Sequence, residues 1–136
     1  SRQVVGWALS RSLDHGLVLK ALERARQKRK PEPGLMIHSD RGVQYACTGF
    51  RQVLKRYGYV QSMSRKADCW DNAAAESFFH LLKSELIYHY AWYGYADVHA
   101  ALFEYIELFY NRERTHSTLG YLTPVDFEQQ ALKIAA

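Results

Sequence analysis

Between two stretches with helical spacing lies a short apolar run, Gly34-Leu35-Met36-Ile37-His38-Ser39, that ends on a carboxylate, Asp40. A run this brief and this apolar suits a buried central strand. Upstream, from the N-cap residue Asp14 to about Arg29, Leu17, Val18, Ala21, Leu22 and Ala25 recur at helical spacing opposite Lys20, Glu23 and Arg26. Lys28-Arg29-Lys30-Pro31 closes that helix, since cations suit a helix C-terminus and proline cannot continue it. This basic run reads as capping and solvation rather than as DNA contact. Downstream, residues 47–57 place Phe50, Val53, Leu54 and Tyr57 on one side and stop at Gly58. Residues 3–10, short, β-branched and aromatic, read as a strand, and Tyr59–Ser64 as a third. The order strand, helix, strand, helix, strand, then helices specifies an α/β fold. Asp40 then projects from a strand's carboxyl end, where open α/β sheets place their ligands.

The second half of the chain is helical. A polar connection, Arg65-Lys66-Ala67-Asp68-Cys69-Trp70, leads into a helix from Asp71, its N-cap or first-turn residue, to roughly Tyr88. Another helix runs from about Asp97 to Tyr110, residues 111–122 form a polar loop, and Thr123-Pro124 opens the last helix. On the helix after Asp71, Asn72, Glu76, His80 and Lys83 fall within about 80° of one another, with Ala74, Phe78, Leu81 and Leu82 behind them. That front face also suits a plainly solvated amphipathic helix. Thirty-five residues separate Asp40 from Glu76. If folding brings the two to one sheet edge, their hard oxygens can hold Mg²⁺.

Composition narrows the alternatives. With 136 residues, 48% of them hydrophobic and 24% charged, the chain makes one domain at most, with a real core. Its apolar stretches are far shorter than a membrane span and its start lacks the build of a signal peptide, so a cytoplasmic location and no membrane partner are expected. Cys47 and Cys69, the only cysteines, stand in no Cys-x-x-Cys pair and read as reduced thiols. A net charge of +4 allows a polyanionic partner without requiring one.

Four passages together carry a family likeness: residues 38–45 (His-Ser-Asp-Arg-Gly-Val-Gln-Tyr), 61–66 (Gln-Ser-Met-Ser-Arg-Lys), 71–79 (Asp-Asn-Ala-Ala-Ala-Glu-Ser-Phe-Phe) and 110–116 (Tyr-Asn-Arg-Glu-Arg-Thr-His). In order and spacing they resemble the catalytic core of bacterial insertion-sequence transposases of the OrfB type, within the retroviral-integrase superfamily. The resemblance implies a ribonuclease H-like fold and an Asp, Asp, Glu triad binding two divalent ions, Mg²⁺ or Mn²⁺. It makes Asp40 the second Asp and Glu76 the Glu, sets Lys83 against transposon-end DNA, and gives Asn72 the task of orienting Glu76 or a metal-bound water. Two metal ions suit phosphodiester transfer, activating the attacking oxygen and stabilising the leaving one. Arg65 and Lys66 are further candidates for DNA contact, as are Gln44 and Tyr45; Trp70 reads as a packed anchor or a stacking residue. Tyr110, Asn111, Arg114 and His116 read as local loop structure.

In the likeness, the first Asp precedes the passage matching Arg2-Gln3-Val4-Val5-Gly6-Trp7, so this chain starts after it. The expected fold is therefore an incomplete integrase core, lacking its first two strands. Of the sheet order 3-2-1-4-5 only strands 3, 4 and 5 remain. A swapped or rearranged assembly, or a shift of strand 3 against strand 4, follows from that gap. The implied activity is DNA transposition by metal-dependent cleavage and strand transfer, absent from the fragment alone. The implied partners are transposon-end and target DNA, a second copy of the chain and a helix-turn-helix protein, acting at the bacterial nucleoid. The competing reading is a non-catalytic DNA-binding or assembly fragment of a truncated element.

Overall fold

The structure, a computed structural model, describes residues 1–65 and 72–136. The chain divides into two compact units, Val5–Phe79 and a second made of Ser1–Val4 with His80–Ala136.

In the first unit α1 spans His15–Arg29, with Asp14 as its N-cap accepting the Leu17 N–H at 3.3 Å. The cap satisfies one of the orphan donors of the first turn. Arg26, Lys28 and Arg29 occupy the last turn, and Lys30 ends the helix in a left-handed conformation, φ 46°. Strand β1 is Met36–Ser39. Two short helices, α2 (Val43–Ala46) and α3 (Thr48–Tyr57), then carry the chain to β2, Val60–Met63. The strands pair in parallel, from Met36 opposite Val60 to Ser39 opposite Met63. A parallel pair needs such a crossover, because a tight turn can only reverse the chain. Gly58 makes the sharp exit from α3 at φ 70°, and Tyr59 turns inward next to it. Phe50, Leu54 and Tyr59 form the buried core, with Val18, Leu22 and Ile37 packed against it. The apolar faces read from α1 and α3 thus meet over the β1–β2 sheet.

Two expectations fail here. Among the described residues the sheet has only β1 and β2, so β1 is an edge strand rather than a buried central one, and Met36 is 63% exposed. Residues 3–10 form no strand. Their backbone groups go to side chains instead: Trp7 C=O accepts Arg24 Nη1 at 2.7 Å, and Arg24 also lies over the Trp7 ring. Gly6 approaches α1 so closely that a Cβ would stand 2.4 Å from the Ala21 carbonyl. A segment docked in this way has no ladder partner, and strand 3 has not moved against strand 4.

Helix α4 runs Ala73–Glu85, and a 3₁₀ turn at Ile87–His89 takes the place of the helical end expected up to Tyr88. The N-cap role read for Asp71 lies outside the described residues. In the second unit α5, Tyr95–Phe103, passes into a seven-residue π-helix, Glu104–Tyr110. The looser π turn has a reason in the packing. Tyr105 and Tyr110 are both buried with ring centroids 6.2 Å apart. On an ordinary α-helix, residues five apart point about 140° away from each other. The final helix α6, Pro124–Ala135, starts as expected, with Thr123 Oγ1 accepting the Asp126 N–H at 3.2 Å.

Candidate active site

The turn after β1 is built around Asp40. Ser39 is buried and its hydroxyl donates to the Asp40 carbonyl at 2.9 Å. The Asp40 side chain is exposed, and its Oδ1 accepts the Gly42 N–H at 2.7 Å. This local bond shapes the entry into α2. A Cβ on Gly42 would stand 2.9 Å from Asp40 Oδ1 and 3.0 Å from Gln44 Oε1. The two side-chain oxygens therefore occupy the space that a Cβ would need, so a larger residue there would push them aside. With φ at −55°, what Gly42 provides is space and not backbone freedom.

Hydrogen bonds stitch this turn to β2 and its exit. Arg41 Nε donates to the Ser64 carbonyl at 2.9 Å, and Gln61 Nε2 to the Tyr45 carbonyl at 2.7 Å. The His38 ring nitrogens lie 2.9 Å from Ser62 Oγ and 3.3 Å from Ser64 Oγ. Tyr45 is half-buried, edge-on to Phe50 at 5.5 Å; burial, and then the negative charge of Asp40, push its phenol up.

Glu76 is exposed in the first turn of α4, and Asn72 is half-buried just before that helix. Phe78, Leu81 and Leu82 are at least partly buried, while Glu76, His80 and Lys83 are exposed, as read from the sequence; Ala74, placed on the apolar side, is exposed, and Asn72, placed on the polar one, is half-buried. Among the described residues no hydrogen bond or ion pair joins Asp40 to Glu76. Nor does any group of three or more His, Cys, Asp and Glu stand ready to hold a metal among them. The structure thus sets the Asp40 and Gln44 side-chain oxygens about the Cβ position of Gly42, and Asp40 and Glu76 both belong to the Val5–Phe79 unit. Arg65 is exposed just beyond β2, and Lys83 is exposed in the last turn of α4. Lys66, Trp70 and Asp68 lie outside the described residues.

Other carboxylates are already engaged. Glu23 takes bonds from Arg26 at 2.9 and 3.0 Å and from the Tyr57 hydroxyl at 2.8 Å. Led by the Arg26 bond, these hold its carboxyl down at about 2. Glu85 accepts the Arg114 guanidinium at 2.7 to 3.0 Å and the Tyr105 hydroxyl at 2.7 Å. Burial alone would raise the Glu85 pKa, and the bonds from Arg114 and Tyr105 reverse that effect. Asp40 and Glu76 have no such cationic partner among the described residues. That leaves them able to take a divalent ion, for which carboxylate oxygens are the natural ligands.

The 110–116 passage does more than shape a loop. Asn111 is 1% exposed and clamps Val4 from both sides, Oδ1 accepting its N–H and Nδ2 donating to its C=O, each at 2.9 Å. Arg114 holds Glu85, and His116 lies edge-on to Tyr110 at 5.0 Å. A reading by local pattern missed these partners because they lie far away in sequence. The available signals were the place of this passage in the family likeness and its crowding of Asn, Arg and His.

Sequence comparison adds two matches to the family described as "Integrase core domain", over residues 1–69 and 76–132. Asp40 lies within the first match and Glu76 opens the second. The chain is 41% identical over 129 residues to a protein named "Transposase for insertion sequence element IS904" from Lactococcus lactis, covering 95% of this chain and 51% of that one. It is 42% identical over 132 residues to "Transposase InsF for insertion sequence IS3fB" from Escherichia coli K12, covering 97% and 46%. An "Insertion element IS600 uncharacterized 31 kDa protein" from Shigella sonnei is 40% identical over 134 residues, covering 98% and 49%. The chain spans about half the length of these relatives.

Proposed function

Because this chain belongs to the integrase core domain family, among insertion-sequence transposases, we propose that it carries part of the catalytic site for metal-dependent DNA cleavage and strand transfer. The observation that carries this reading is Asp40, an exposed carboxylate at the carboxyl end of a parallel strand with no cationic partner among the described residues. Asp40 and Glu76 supply hard anionic oxygens, a donor set that fits Mg²⁺ or Mn²⁺. Ions bound there would activate the attacking oxygen and stabilise the leaving one. A third carboxylate, the first Asp that the family resemblance implies, would complete this set of ligands.

The chain's own side chains divide the remaining work. Gly42 leaves space for the Asp40 and Gln44 oxygens, so Asp40 is held by its bond to the Gly42 N–H while the rest of the carboxylate faces solvent. Asn72 stands beside the start of α4 to orient Glu76. Arg65 and Lys83 hold phosphates by charge, and Gln44 offers an amide to DNA close to Asp40. Charge distribution supports DNA at this unit: outside the Lys28-Arg29-Lys30 run, residues 5–79 hold ten Lys and Arg against seven Asp and Glu. The competing reading is a DNA-binding or assembly fragment without chemistry.

Cleavage and joining of terminal-repeat DNA in Mg²⁺ separate the two. The assay uses this chain extended to the length of its relatives, as wild type and as Glu76→Gln. Activity lost in the variant with DNA binding retained supports the catalytic reading; equal activity sinks it.

A further inference from the structure

Residues 85–109 surround a cleft of about 690 Å³, separate from the residues assigned to DNA and metal. Trp92, Tyr93, Tyr105 and Phe109 supply aromatic surface, and Asp97 and Glu104 supply carboxylates. No Lys, Arg or His is among the residues described as lining it. Glu85, also in the lining, is neutralised by Arg114. Asp97 takes the Tyr93 N–H at 3.3 Å, while Glu104 is exposed and its carboxylate has no hydrogen bond or ion pair among the described residues. Asp97, Ala101 and Glu104 follow one another at helical spacing along one wall. The rim is apolar and open, with Tyr93 at 92% exposure.

Aromatic faces beside uncompensated carboxylates favour a cation on an apolar stem, as lysine and arginine carry. They disfavour DNA, whose phosphates the carboxylates repel. The charge of this chain is unevenly divided. Residues 1–4 and 80–136 hold seven Asp and Glu against five Lys and Arg, the reverse of the excess of cations in residues 5–79. In that basic half, no residue of the Lys28-Arg29-Lys30 run ending α1 is among those assigned above to metal or DNA contact, and Lys30 is exposed.

We propose that this cleft receives the Lys28-Arg29-Lys30 end of α1 from a second copy of the chain, with Lys30 facing Asp97 and Glu104. The contact is independent of the metal and DNA reading. Sedimentation velocity on the full chain at micromolar concentration tests it. The wild type is expected to self-associate, and Lys30→Glu or Glu104→Lys each to weaken association by about tenfold or more. Combining both reversals in one chain restores it. Both positions are exposed, so melting temperatures should hold; Asp97→Lys serves if Glu104→Lys does not fold. A wild type that stays monomeric, reversals without effect, or a double reversal that fails to recover each overturn the proposal. So does 1,4-diaminobutane binding in the cleft of a chain that remains monomeric.

Discussion

Gly42 shows how one missing side chain sets a site. A methyl group there would sit 2.9 Å from Asp40 Oδ1, closer than real Cβ contacts come, so Gly42→Ala has to displace the carboxylate. The expected outcome is Mg²⁺ affinity weakened by about 10- to 100-fold, the usual cost of disturbing a group that positions a ligand. Calorimetric titration of the metal reads this directly, and a melting curve shows whether the fold survives. His116 offers a second test at this scale. Its Nε2 is buried without a hydrogen-bond partner among the described residues, and Arg114 Nη1 stands 3.3 Å from Nδ1. Burial first, and the Arg114 charge next, hold its pKa below the ordinary histidine value of 6.5. The folded state therefore binds a proton less readily than the unfolded one, so stability is full above 6.5. It falls as pH drops from there to the folded-state pKa and levels off below it. Urea unfolding between about pH 8 and pH 5 should show that decline, and His116→Phe should flatten it.

At the scale of elements, α3 and the Asn111 clamp carry the clearest consequences. Leu54 is 2% exposed in the core of its unit, and Leu54→Ala should cost about 2–5 kcal/mol in chemical denaturation. Asn111→Ala leaves the Val4 N–H and C=O without their partners and should cost about 1–3 kcal/mol. The helices α1 and α3 were legible because their signals are local: Asp14 before the first turn, Gly58 after the last, and apolar residues at the right period between. Strand pairing is not local. The Val4-Val5-Gly6-Trp7 passage has strand-like composition, yet whether it becomes a strand depends on a free neighbouring edge. Gly6 meets Ala21 and Ala25 of α1 instead. The π segment was illegible for a related reason. Spacing by 3.6 residues cannot foresee that Tyr105 and Tyr110 share one buried face, because the packing that favours it is tertiary.

For the whole molecule, charge is unevenly divided. The cations gather in residues 5–79, the part that also holds Asp40 and Glu76. DNA affinity should therefore fall steeply with salt. Replacing Arg65 by alanine should lower the slope of log affinity against log salt by about one while leaving sequence preference unchanged, as fluorescence anisotropy across a salt series can show. The candidate site was legible only in part. Order and spacing of motifs pointed to Asp40 and Glu76, and the fold places one at the end of β1 and the other at the start of α4. What no motif carried was the space kept at Gly42, or the hydrogen bonds of Arg41 and Gln61 that fix the turn against β2.

Whether the two carboxylates serve a single ion is best measured by Mn²⁺ binding to the wild type, Asp40→Asn, Glu76→Gln and the double variant. If one ion needs both groups, either substitution alone removes its tight binding and the second adds little, a strong departure from additivity. Additive small losses, or no loss at all, would mean that Asp40 and Glu76 do not share a metal.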